Sequence, residues 1–363
     1  MGEPLKPLNI GIVGAGRISG AYLSTLDRLK SVRLTAVTDL DGNRARAVAG
    51  QAGGEVAVAS TVSDLVARDD VDAVLNLTIP AAHADVAVSA LGAGKHVYGE
   101  KPLAANRKEA EAVLAAARAA GLRVGCAPDT VLGTGTQTAR KAVDDGLLGR
   151  PVAATAFMTT AGHETWHPDP EFYYRPGGGP LLDMGPYYLS ALVHLLGPVT
   201  KVTGASSRPR AERTVGSGPR AGHTFPVEID THVTGILEHA HGALSTLVMS
   251  FDVLAARLPR IEVHGTDASL SVPDPNGFDG AVEINRGAGW ETLPVSAGFP
   301  DAGRGVGLAD LAEALAAGRP HRASGELAAH VLDIMLTLMD AADQGRSLPV
   351  TSTCERPAPV TGR

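Results

Sequence analysis

The chain has 363 residues, 44% hydrophobic and 20% charged, with 43 glycines and a formal net charge of −7. This apolar content excludes disorder as the main state, and the acidic balance argues against a nucleic-acid partner, which needs a basic face to neutralise phosphates. Aromatics make up only 4%, so a core must rest on Ala, Val and Leu, and the length suggests about two domains.

The first third alternates strand and helix signals. Asn9–Val13 is a short apolar run ending at Gly14, followed by Ile18, Tyr22, Leu26 and Leu29 at helical spacing. Val32–Thr38 reads as a second strand with Asp39 at its end, and residues 56–59 and 71–78 as further buried strands. Ala82–Ala93 reads as helix and Lys95–Tyr98 as a short strand. Asn106–Ala120 carries a full set of helix signals: Asn106 to cap, Glu109 three residues on, Gly121 to stop. Leu122–Cys126 returns as strand. Repeated βα units of this kind imply a parallel, doubly wound sheet.

Beyond a helix near 136–145 the pattern changes to alternating strands at 152–160, 201–206, 232–238, 243–250, 260–264 and 281–285, two of them separated by His241-Gly242 at hairpin distance. Helices are expected at 181–196, 308–317 and 325–344, and the Arg-, Pro- and Gly-rich stretch 208–226 reads as an exposed loop. The fold class is therefore α/β: a doubly wound parallel sheet, then an α+β part with a large, mainly antiparallel open sheet. The boundary is placed near Pro128, dividing the chain into domains at 1–128 and 129–363.

Between the first strand and first helix lies Gly14-Ala15-Gly16-Arg17-Ile18-Ser19, a GxGxxG pattern with Ser at the third glycine. Gly14 permits a tight turn, Gly16 lets the backbone approach a pyrophosphate, and the N–H groups opening the helix at Arg17 and Ile18 face it. Asp39 is placed to accept from an adenosine ribose and to repel a 2′-phosphate. NAD is thus the expected cofactor, with NADP possible because Arg44 lies nearby in sequence.

The stretch from Val71 through Leu103, VDAVLNLTIPAAHADVAVSALGAGKHVYGEKPL, resembles the glucose–fructose oxidoreductase / inositol dehydrogenase / rhizopine-catabolism (Gfo/Idh/MocA) family, and GGGPLLDMGPYYL at 177–189 resembles its second signature. The resemblance implies a Rossmann domain, a second domain whose open sheet builds dimers or tetramers, and NAD(P)-dependent oxidation of a sugar or cyclitol hydroxyl, or the reverse. It implies that Glu100 binds the nicotinamide ribose, that Lys101 and Asp183 are catalytic, and that Thr78, Pro80 and His83 lie beside the cofactor. Many members carry His four residues after the Asp, where this chain has Tyr187. Two further classes share the resemblance: glycosidases that use NAD for a transient oxidation, and non-catalytic sugar or dinucleotide sensors.

Independently of the family, removing hydride from a secondary alcohol needs a group to take the hydroxyl proton. A lysine beside a positively charged nicotinamide has its charged form disfavoured. Asp183 and Tyr187 share one helical face at a spacing of four. The expected arrangement has Lys101 and Tyr187 handling the proton while Asp183 orients the substrate and the lysine.

His163-Glu164-Thr165-Trp166-His167 matches the HExxH zinc pattern literally, but Gly162 before it and Pro168 and Pro170 after it argue against the helix that pattern requires. No metal is expected. His163, Trp166, His167, Tyr173 and Tyr174 instead concentrate rings on a loop and are candidate substrate contacts. Asp129 and Thr130 follow the last parallel strand, near where such sheets bind ligands, and are candidates to touch substrate or nicotinamide, with Gln137 a softer one. Cys126 and Cys354 form no disulfide framework. No apolar run reaches membrane-spanning length and the N-terminus lacks a secretory pattern, so a cytoplasmic protein with no membrane partner is expected.

Overall fold

The computed structural model describes residues 6–361. Its chain clusters into two compact units, the first up to Gly133 plus Phe299–Leu332, the second Thr134–Gly298 plus the residues from Asp333 on.

The first unit is built on six parallel strands: β1 (Leu8–Val13), β2 (Val32–Thr38), β3 (Ala57–Val58), β4 (Ala73–Asn76), β5 (His96–Gly99) and β6 (Val124–Cys126). Their spatial order is 3-2-1-4-5-6, the doubly wound order with a switch point between β1 and β4. Helices α1 (Ser19–Leu26), α2 (Gly42–Gln51), α3 (Val62–Val66), α4 (His83–Gly92) and α5 (Arg107–Ala120) intervene. The expected start and stop of α5 are both present. Asn106 Oδ1 accepts from the Glu109 amide at 3.0 Å, Glu109 accepts from Asn106 Nδ2 at 2.7 Å, and Gly121 ends the helix in the left-handed region. Ala110, Val113, Leu114 and Ala117 are its buried stripe, the spacing that turns one helical face to a core.

The second unit comprises α6 (Thr134–Asp144), β7 (Pro151–Thr159), α7 (Pro180–Leu196), β8 (Val199–Ser207), β9 (Glu212–Thr214), β10 (Thr224–Pro226), β11 (His232–His239), β12 (Leu244–Ser250), β13 (Ile261–Gly265), β14 (Ser269–Val272), β15 (Glu283–Asn285) and β16 (Trp290–Thr292). Later come α8 (Val306–Ala317) in the first unit, α9 (Gly325–Gln344), whose residues divide between the two clusters, and β17 (Leu348–Pro349) in the second. Nine strands form one sheet in the order 16-15-14-13-7-12-11-8-17. The sheet is mainly antiparallel as expected, but its central pair, β7 and β12, runs parallel. The long crossover through α7 makes this possible, because parallel neighbours cannot be joined by a hairpin. Helix α7 covers one face, burying Ala154, Ala156, Met158, Leu247 and Met249. The opposite face carries the row Ile236–Thr246–Thr155 and the row Thr234–Val248–Phe157.

Some regions differ from the reading of the sequence. The boundary placed near Pro128 lies close to the first unit's break after Gly133, and Phe299–Leu332 also groups with the first unit. The stretch 208–226 is not simply an exposed loop: β9 and β10 pair as a hairpin, and Arg213, Val215 and Phe225 are buried. Helix α2 was not anticipated, because its composition is Ala- and Arg-rich with little apolar periodicity.

Candidate active site

Within the first unit the glycine turn has the geometry its sequence requires. Gly14 adopts φ +98°, and a Cβ there would stand 2.8 Å from the Leu77 carbonyl and 2.9 Å from the Thr78 nitrogen. No side chain fits without moving that backbone. At Gly16, by contrast, a Cβ would meet nothing within 4 Å. Open space there is what close approach of a pyrophosphate needs. Ser19, small enough to be buried, donates to the Gly16 carbonyl at 2.7 Å. Asp39 stands immediately after β2. Its carboxylate accepts from the Ala15 amide at 2.6 Å and the Asp41 amide at 2.8 Å, tying the glycine turn to the strand end while keeping lone pairs for ribose hydroxyls. Arg44 pairs with Asp41 at 3.7 Å on the exposed surface. Arg17 is exposed and Ile18 partly so. These residues fit a dinucleotide.

Glu100 follows β5. Its Oε1 accepts from Tyr22 Oη at 2.8 Å and its Oε2 from the Lys101 amide at 3.0 Å. Tyr22, on α1, is fully buried, and burial beside Glu100 pushes its phenol well up, so it donates as a neutral hydroxyl. Sequence reasoning saw Tyr22 only as a helical core position. Thr78 and Pro80 lie just beyond β4, Pro80 exposed and Thr78 donating from its amide and hydroxyl to Asn76 Oδ1. His83 is different from expectation. Its ring is buried, with Nδ1 2.6 Å from the Pro102 carbonyl and Nε2 3.0 Å from the Thr78 carbonyl. It braces the two loops against each other, which leaves it no edge for a cofactor.

Asp129 is a second correction. It is fully buried, and its Oδ2 accepts from the Gly305 amide at 2.8 Å and the Gly307 amide at 2.9 Å, holding the N-terminal end of α8. Burial pushes its carboxyl above the ordinary range, partly offset by those amides and by Arg304. Thr130 and Gln137 are likewise fully buried, Gln137 accepting from the Val360 amide at 2.8 Å.

In the second unit, Asp183 sits in the first turn of α7, where the helix end favours negative charge. His163 Nε2 lies 3.0 Å from its Oδ2. The His163 ring is buried while Asp183 is less so, with 10% and 18% of their side chains exposed. A ring protonated on Nε2 donates to Asp183, and the buried Nδ1 has no hydrogen-bond partner among the described residues. His163, expected as a direct substrate contact, thus helps to hold Asp183. Tyr187 lies one turn further along α7 and is buried.

Below this pair lies a buried ion network. Arg213, its side chain 1% exposed, donates to Glu164 at 2.6 Å, to the carbonyls of Ala161 and Phe251, and to Asp252. Tyr174 donates to the other Glu164 oxygen and accepts from the His163 amide at 3.1 Å. Tyr174 is fully buried, so its expected role as a substrate contact is replaced by holding this turn. The HExxH stretch is a single 3₁₀ turn at His163–Thr165, and Glu164 is committed to Arg213 and Tyr174. Among the described residues no group of three or more His, Cys, Asp or Glu could hold a metal. The remaining rings behave otherwise: Trp166 and Phe172 are 53% and 54% exposed, with His167 and Tyr173 partly exposed between them.

Comparison with known proteins agrees with this geometry. The family model described as "Oxidoreductase family, NAD-binding Rossmann fold" matches residues 8–127, and that described as "GFO/IDH/MocA C-terminal domain" matches 136–271. The chain belongs to the Gfo/Idh/MocA oxidoreductase family. A dTDP-3,4-didehydro-2,6-dideoxy-alpha-D-glucose 3-reductase of Streptomyces antibioticus is 31% identical over 73% of this chain and 83% of its own. An inositol 2-dehydrogenase of Rhizobium meliloti is 26% identical over 79% and 82%. Among solved structures, an NAD binding oxidoreductase from Klebsiella pneumoniae superposes with a TM-score of 0.83 at 25% identity, covering 96% of this chain and all of that one. The chain is therefore an oxidoreductase with an NAD-binding Rossmann domain. Among the described residues no helix is long and apolar enough to cross a membrane.

Proposed function

We propose that this enzyme transfers hydride reversibly between NAD and a secondary hydroxyl or keto group of a sugar, glycoside or cyclitol. The observation that carries the reading is the Asp183 carboxylate held by His163 at the start of α7. It is a fixed acceptor of the kind that orients a polyol hydroxyl. The names of the relatives, a sugar 3-reductase and an inositol dehydrogenase, support the substrate class.

NAD, when bound, supplies the hydride acceptor. Gly14 and Gly16 admit its pyrophosphate, Asp39 its adenosine ribose, and Glu100 its nicotinamide ribose. Lys101 takes the hydroxyl proton as the carbonyl forms. Asp183 accepts from a substrate hydroxyl and sets its orientation. Tyr187 is buried one turn further along α7, and the reading gives the proton to Lys101 alone, where the sequence expectation shared it with Tyr187.

Replacing Lys101 with Met is expected to lower kcat by about 10²–10⁴-fold while NADH still binds, as read by cofactor fluorescence. Near-normal turnover would remove Lys101 from the chemistry. Tyr187→Phe is expected to retain most of its turnover; a loss equal to that of Lys101→Met would restore the phenol as proton carrier. We also infer a dimer or tetramer built through the uncovered sheet face, where Ile236 and Leu244 are exposed. Equilibrium sedimentation of the wild type and of Ile236→Lys tests this, and a monomeric wild type would end it.

A further inference from the structure

Large apolar rings left in water forgo the stabilisation that burial supplies, and the other aromatics of this chain are mostly buried. Tyr22, Tyr98, Tyr174, Tyr188 and Phe251 are inaccessible. Trp166 and Phe172 are the contrast, and they are not scattered. His163 and Trp166 lie 5.3 Å apart between centroids, Trp166 and His167 5.3 Å, His167 and Phe172 5.5 Å, Phe172 and Tyr173 4.1 Å, and Tyr173 and His163 4.4 Å. The rings form a closed circuit that begins at the imidazole gripping Asp183 and ends in solvent.

The backbone under this circuit is fixed. Ser217 Oγ donates to the Trp166 carbonyl at 2.7 Å, and the Gly216 amide to the Glu164 carbonyl at 2.7 Å. The Gly179 amide donates to the Tyr173 carbonyl at 2.8 Å. Arg220 binds Asp169 and Glu171, and Arg175 binds Glu171. With Arg213 buried beneath, the exposed rings stand on a braced base, which is how a binding surface avoids the entropy cost of ordering itself.

We propose that Trp166 and Phe172 form a ledge for the second ring of a two-ring substrate, so that the preferred substrates are glycosides bearing an aryl or glycosyl substituent. The proposal rests on the reading of Asp183 as the hydroxyl acceptor. His163, which holds Asp183, stands 5.3 Å from Trp166 and 4.4 Å from Tyr173 between centroids, and Phe172 stands 4.1 Å from Tyr173. The two exposed rings are thus one and two ring-to-ring steps from the residue that holds the hydroxyl acceptor, within reach of a substituent on a sugar bound there.

The test uses the full-length enzyme with NAD+ and paired phenyl and methyl β-glycosides of glucose, galactose and xylose, together with the free sugars and inositols. NADH absorbance gives kcat/KM. For the oxidised sugar the phenyl glycoside is expected to exceed the methyl glycoside by about tenfold, the value of one well-placed ring contact. The ratio should fall towards one in Trp166→Ala and in Phe172→Ala and persist in Trp290→Ala, an exposed tryptophan on β16. Because a ratio is read, a common loss of turnover cancels. A wild-type ratio near one, an unchanged ratio in the two ledge variants, oxidation of inositols alone, or a changed sedimentation coefficient with an unchanged ratio would each overturn the ledge. If no alcohol in the set reduces NAD+, the redox reading fails instead. Calorimetric binding of phenyl and methyl β-D-glucoside then decides the ledge by the same ratio.

Discussion

Arg213 shows how much one residue can organise. It brings a buried positive charge to two carboxylates, Glu164 and Asp252, and Asp252 also accepts from Thr231 at 2.5 Å. The same guanidinium reaches the carbonyls of Ala161 and Phe251, on either side of the His163 turn. Removing one partner of such a group strands the other charges in a dry interior, at a cost of roughly 3–5 kcal/mol. Arg213→Met is therefore expected to lower the melting temperature by about 10 °C, at roughly 2–4 °C per kcal/mol, in a thermal scan of the purified enzyme. A loss below about 2 °C would show that the network is not the keystone of this turn. His163→Gln acts differently, since it removes one hydrogen bond to a charged group. Its expected effect is a kcat lower by about 10–100-fold in steady-state assays, with the fold retained.

At the scale of the element, local signals were legible where geometry is local. The cap at Asn106, the stop at Gly121 and the turn at Gly14 could be read because their constraints lie within a few residues. Asn106→Ala is expected to cost about 1 kcal/mol, visible as a small drop in denaturation midpoint; no change would mean that α5 is held by packing alone. What escaped was non-local. Asp129 looked like a ligand contact from its place after β6, yet its partners are amides of Gly305 and Gly307, nearly two hundred positions on. The β9–β10 hairpin hid in a stretch whose Arg and Gly content suggested solvent, although Glu212-Arg213-Thr214 and Thr224-Phe225-Pro226 alternate as strands do. His83 was expected beside the cofactor from its place in a motif, but its ring is occupied by two carbonyls, a fact no motif contains. The pairing of His163 with Asp183 could have been suspected, since both are polar residues in one ring-rich region, but a separation of twenty positions left their geometry open.

For the whole molecule, buried histidines set a pH limit. His239 lies between the Gly197 carbonyl and Ser245 Oγ, each at 2.8 Å, and burial pushes its pKa down; burial likewise lowers that of His321. Their unfolded value is about 6.5. A group depressed in the folded state stabilises the fold above that value and withdraws its contribution as pH falls through the folded value. The melting temperature is expected to decline as pH drops below about 6.5, and His239→Gln should show a shallower decline than wild type. Parallel slopes would show that His239 is not the group that titrates.

The return of Phe299–Leu332 to the first unit has a consequence for how the protein is made. A nascent chain that has just cleared the ribosome through Gly133 holds all six parallel strands but lacks α8 and the two amides that receive Asp129. Its buried carboxylate waits for residues synthesised more than 160 positions later. Vectorial completion of the nucleotide-binding half is thus deferred until residues 299–332 have been made, and a gene split at the apparent end of that half would separate a carboxylate from its only two backbone donors seen among the described residues.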